Sequence, residues 1–243
     1  MVSFQNWRDR RSADKTAAEF KSPEPVTKTY NTSSTRTGQR SMPSRRLRIL
    51  CLHGYHGSAS VMRSQASSFA GEVAPYADLV FINAPSLAKG SYGWWHARSN
   101  MAGGGVVYSG WGDTKANLID VFAKEGPFDG VLGLSQGAVL TSILCGLNGS
   151  HGIKFNFAMM VGGFLASDTE LEKLYERHQR YSLPSIHVYG RRDGIVNPSA
   201  TLELSRVFKN PTIVVHDGGH VIPQQRDAEA KMAAFVVEQW AKA

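Results

Sequence analysis

From Leu47 onward, short runs of β-branched and other apolar residues alternate with longer amphipathic stretches. That rhythm belongs to parallel βαβ units, because strands joined in parallel need a crossover of helical length. Six runs read as strands: Leu47–Leu52, Asp78–Asn83, Gly130–Leu134, Phe155–Val161, Ile186–Tyr189 and Thr212–His216. Several are almost wholly apolar, as strands covered on both faces should be. The expected architecture is α/β, an open, doubly wound, mainly parallel sheet of about six strands.

Between the strands, Asn117–Lys124 turns Leu118, Ile119, Val121 and Phe122 toward a core, and Ala138–Leu147 is apolar nearly all round. Ser167 and Glu170 are spaced as a capping box for a charged helix running to about Gln179, and a last helix spans about Gln225–Trp240. Pro85–Gly112 is a long Gly- and Trp-rich connection of the kind that usually serves function.

Charge divides the chain in two. Residues 1–46 carry ten Lys and Arg against four acids, so six of the seven net positive charges fall there and the remainder is nearly neutral. The expected organisation is a disordered basic tail over 1–46 and a catalytic domain over 47–243. A body without a basic patch argues against nucleic-acid binding. No apolar run is long enough to span a bilayer, and the start lacks a secretory apolar core. Cys51 and Cys145 give no disulfide framework. The expected setting is cytoplasmic, with organelle targeting by the acid-free stretch Pro25–Arg46 left open. Oligomeric state is not legible.

The chemistry enters at Gly133-Leu134-Ser135-Gln136-Gly137, a G-x-S-x-G run directly after an apolar strand and directly before a helix. A serine on such a turn presents its hydroxyl above the sheet, and the helix N-terminus beneath it favours developing negative charge. A serine hydroxyl needs a base, and the base an orienting carboxylate. Asp193 follows the strand ending at Tyr189, and His220 follows the strand ending at His216, so both belong at the same sheet edge. Asp217 is the rival acid, but it shares the turn of His220. The predicted triad is Ser135, His220 and Asp193.

Leu52-His53-Gly54-Tyr55 follows the first strand, where a second backbone N–H is recruited; the predicted oxyanion donors are Tyr55 and Gln136. His53 and His56 stand three apart without a Cys, His or acidic cluster, so no metal is expected, and His53 reads as a brace for its loop. No dinucleotide or Walker pattern appears, so no cofactor is expected. Trp94, Trp95 and Trp111 bracket Gly103-Gly104-Gly105 and are expected to wall a substrate pocket.

Taken together, Leu52-His53-Gly54, Gly126-Pro127-Phe128-Asp129-Gly130, Gly133-Leu134-Ser135-Gln136-Gly137-Ala138, Tyr189-Gly190 with Asp193, and Gly218-Gly219-His220-Val221-Ile222-Pro223 resemble the FSH family of serine hydrolases over roughly Leu47–Trp240. The resemblance implies an α/β-hydrolase fold without a large lid domain, acting on carboxylic esters or, in some members, acyl thioesters; the leading expectation is a small-molecule ester, and the alternative an acyl thioester of coenzyme A or a carrier protein. Arg63, Arg191 and Arg192 are the candidate basic rim for a carrier. The reading of another class is a ligand-binding protein on a hydrolase fold.

Overall fold

A computed structural model of the chain describes residues 45–85, 93–99, 105–176 and 180–243. Residues 1–44 of the predicted tail over 1–46, together with Gly103, Gly104 and the expected helix end at Gln179, lie outside the described residues. In chain order the elements are β1 (Leu47–Leu52), α1 (Ala59–Gln65), α2 (Ser67–Val73), β2 (Ala77–Ile82), β3 (His96–Ser99), β4 (Val106–Ser109), α3 (Trp111–Glu125), β5 (Gly130–Leu134), α4 (Gln136–Leu147), β6 (Phe157–Val161), α5 (Lys173–Glu176), β7 (Ser185–Gly190), α6 (Pro198–Ser205), β8 (Thr212–His216) and α7 (Arg226–Trp240). Six strands form one sheet in the order β2-β1-β5-β6-β7-β8, every pair parallel.

β5 and β6 are buried at every residue because an apolar layer covers each face. One layer gathers Leu118 and Phe122 of α3, Leu140 and Ile143 of α4 and Leu204 of α6. The other gathers Met62 of α1, Phe69 of α2 and Met232, Phe235 and Val236 of α7. The sheet is therefore doubly covered, as the apolar runs foretold.

Boundaries differ from the sequence reading where polar side chains compete for backbone. Phe155 was expected to begin β6, but Asn148 takes both its N–H (3.2 Å) and its carbonyl (3.0 Å), so the strand starts at Phe157. Ser167 does not cap a long charged helix. Asp168 does the turning, its Oδ1 accepting from Glu170 N (3.0 Å) and Leu171 N (3.1 Å) while Oδ2 accepts from Tyr108 N (2.7 Å). Among the described residues the helix that follows, α5, begins only at Lys173. The long connection Pro85–Gly112 contains the antiparallel hairpin of β3 and β4, and its end is already the first turn of α3.

Arg45 and Arg46, counted with the tail by composition, are tied to the body. The Arg45 guanidinium grips the buried Asp129 carboxylate with two bonds of 2.8 and 2.7 Å, and Arg46 pairs with Asp78 at 2.9 Å. Arg48 N gives Asp129 a third bond at 2.8 Å. Burial pushes the Asp129 carboxyl up, but these donors outweigh it and hold it below the usual carboxylate range. No described helix is long and apolar enough to cross a membrane.

Candidate active site

Ser135 closes β5 with φ 56° and ψ −119°, backbone that a residue with a side chain rarely adopts. Three bonds hold it there: Ser135 N donates to Val161 O (2.8 Å), and Ala138 N and Val139 N donate to Ser135 O (2.8 and 3.0 Å). The flanking glycines are a steric demand. A Cβ on Gly133 would strike the Gly137 carbonyl, and one on Gly137 would strike the Leu52 carbonyl. The turn can close against β1 only without those side chains.

Asp193 and His220 arrive from the ends of β7 and β8, whose loops are stitched by Arg191 N to His216 O (2.8 Å) and Arg192 N to Gly218 O (3.0 Å). His220 Nδ1 donates to Asp193 Oδ2 at 2.7 Å, and Asp193 Oδ1 accepts from Ile195 N (2.9 Å) and Val196 N (2.8 Å). Burial pushes the Asp193 carboxyl up, yet the His220 bond and the two backbone donors prevail and hold it below the ordinary carboxylate range. The rival Asp217 is exposed and paired with Arg191 at 3.2 Å. His220 Nε2 is buried and has no hydrogen-bond partner among the described residues. Gly162, at φ 58°, leaves room for the imidazole, since a Cβ there would lie 2.7 Å from His220 Cε1.

Ser135 and His220 face one cavity of about 370 Å³, shared with His53, Gly54, Tyr55 and Ile195. Gly54 packs on the serine, its would-be Cβ 3.3 Å from Ser135 Cβ. Among the described residues neither the Tyr55 nor the Gln136 backbone N–H has an acceptor. His53 braces the Tyr55 loop: its Nε2 accepts from Ala84 N (3.0 Å), which places the ring proton on Nδ1, and Nδ1 donates to Gly54 O (2.7 Å). Burial pushes the His53 imidazole down, consistent with a neutral ring. With both nitrogens engaged, His53 is not free to ligate a metal.

The tryptophans are a correction. Trp94 and Trp95 are buried in the core, and Trp111, at the start of α3, packs partly buried against it; none lines the cavity of Ser135. The Trp94 indole N–H is spent on His53 O (2.8 Å), and Trp95 stacks on Tyr108 with ring centroids 4.5 Å apart. The cavity wall comes instead from Val61, Gln65, His56 and Ile195. Ile195 carried a signal: an apolar residue two positions after the predicted acid, in a strand-end loop. Of the candidate rim, Arg63 lies over the Phe81 ring at 5.0 Å and Arg191 and Arg192 both hold Asp217.

A family model described as serine hydrolase (FSH1) matches residues 42–232. Relatives include Esterase OVCA2 of Xenopus tropicalis, 32% identical over 200 residues that cover 73% of this chain and 86% of that protein. Esterase CG5412 of Drosophila melanogaster is 31% identical, with 73% of this chain and 69% of that protein covered. Among solved structures, acyl-protein thioesterase 2 of Zea mays superposes with a TM-score of 0.61 at 16% identity, covering 82% of this chain and 96% of the other, a likeness of fold.

Proposed function

The chain belongs to the FSH1 family of serine hydrolases, and from that premise we propose that it cleaves carboxylic esters through Ser135, His220 and Asp193. The observation that carries the reading is the divided engagement of His220. Its Nδ1 is committed to Asp193 at 2.7 Å, while Nε2 has no partner among the described residues and the ring faces the cavity of Ser135. A base so held keeps one acceptor nitrogen uncommitted for a serine proton.

In the proposed cycle His220 Nε2 takes the Ser135 Oγ proton as Oγ attacks the ester carbonyl. The N–H groups of Gln136 and Tyr55 hold the resulting oxyanion, assisted by the N-terminus of α4. The imidazolium, stabilised by the ionised Asp193, then protonates the departing alcohol, leaving an acyl group on Ser135. Water, deprotonated by His220, releases the acid and restores the serine. Every group in the cycle falls within residues 47–243.

The test pairs a short p-nitrophenyl ester with a fluorophosphonate probe. Ser135→Ala is expected to lose at least about a thousandfold in turnover and all labelling; full retention of either would overturn the proposal. Matched esters and thioesters of one acyl group then decide which leaving atom is preferred.

A further inference from the structure

The two proposed oxyanion donors belong to different parts of the chain, Tyr55 after β1 and Gln136 at the start of α4, and their spacing must be held for them to act together. One buried residue is bonded to both parts. The Gln136 carboxamide reaches across to Trp94 and Trp95, its Oε1 accepting from Trp94 N (3.1 Å) and its Nε2 donating to Trp95 O (2.8 Å). The Trp94 indole N–H in turn donates to His53 O (2.8 Å), and the Thr114 hydroxyl donates to the Trp94 carbonyl, fixing that residue to α3.

The other end of the strap is equally defined. The Gly54 carbonyl is held by His53 Nδ1–H (2.7 Å) and by Gly57 N–H (3.0 Å). Because the Gly54–Tyr55 peptide is planar and trans, fixing that carbonyl aims the Tyr55 N–H the opposite way. The indole bond to His53 O sets the preceding peptide, so the orientation of Tyr55 N–H depends on where Trp94 stands. Trp94 itself stands where the Gln136 side chain puts it.

Resting on the reading of Tyr55 and Gln136 as oxyanion donors, we propose that Trp94 and the Gln136 carboxamide are positioning residues that set the distance between those two donors. Neither side chain touches the reacting atoms. Their effect is on the tetrahedral stage, where the oxyanion needs both N–H groups at once, and a small misplacement there is costly in rate.

The test uses three variants of the full chain: Gln136→Met, which keeps length and removes both carboxamide bonds; Trp94→Phe; and the pair combined. Each single change is expected to lower kcat on a p-nitrophenyl ester about ten- to a hundredfold with KM within about threefold. It should weaken inhibition by a trifluoromethyl ketone, whose serine adduct carries the oxyanion, by the same factor. The combined variant should be no more than about threefold worse than the worse single one, since both cut one strap.

Replacing Trp94 with its benzothienyl analogue, which keeps the shape and deletes the N–H, should reproduce the Trp94→Phe effect in a fold-preserving background. Unchanged kcat and inhibition, a rise in KM with kcat intact, or fully multiplicative losses in the pair would each overturn the inference. If Ser135→Ala retains activity, the hydrolase reading itself falls. If Ser135→Ala is inactive while the strap variants behave as wild type, only the strap falls.

Discussion

Asp193 Oδ2 sits 2.7 Å from His220 Nδ1 with the Asp193 side chain 1% exposed, and its second oxygen is filled by two backbone N–H groups. The carboxylate is therefore fully employed in its ionised form. Asp193→Asn should lower kcat by roughly a hundred- to ten-thousandfold, because the amide would favour the wrong imidazole tautomer. Steady-state kinetics on a soluble ester check this. The linkage sign follows from the lowered pKa: the wild type's advantage in stability over the Asn variant is present above the ordinary carboxylate value near pH 4 and is lost as pH falls through the folded value.

Ser135 holds φ 56°, and strain of that kind costs on the order of 1–3 kcal/mol. Ser135→Gly, which removes the Cβ, should unfold at higher denaturant than Ser135→Ala by about 1 kcal/mol, with both inactive. Equal midpoints would show the turn to be unstrained.

His187 lies wholly buried in β7 beside Phe208, its Nε2 3.2 Å from Ser185 Oγ, and burial pushes it down to about 3. The unfolded chain takes up this proton near pH 6.5, the folded chain only near 3, so stability is whole above the first value and drains away as pH falls toward the second. Between pH 7 and pH 4.5 the wild type should lose roughly 2–3 kcal/mol more than His187→Gln. Urea melts at the two pH values measure the difference.

Asp129 is buried against an Arg45 that is itself 56% exposed, so the two partners are unequal. Arg45→Met should cost only about 1 kcal/mol, discounted for solvent screening. Asp129→Ala should cost roughly 2–3 kcal/mol, because it also strips a bond from Arg48 N. Chemical denaturation of both variants tests the order.

Much of this molecule was legible because its strands are apolar runs and its candidate site groups lie directly after them. Ser135, Asp193 and His220 could each be placed by counting from the end of a run. What escaped depends on partners distant in sequence. Nothing near Trp94 reveals that its indole will serve His53 O, so the tryptophans read as pocket wall when they pack in or against the core. Nothing near Ser167 reveals that the neighbouring Asp168 will be claimed by Tyr108 N, so a helix start was expected where a tight turn stands. The helix α6 was not among the expected ones, although Asn197 and Pro198, an N-cap followed by Pro at the first helical position, mark its start.

The strand order has a consequence for folding. Ser135 stands mid-sheet at the end of β5, whereas His220 hangs from β8, an edge strand and the last of the six in chain order. Contacts of such long range form late, since the chain between must first be ordered. A half-folded chain thus holds Ser135 without His220, and the two come to share one cavity only as β8 docks.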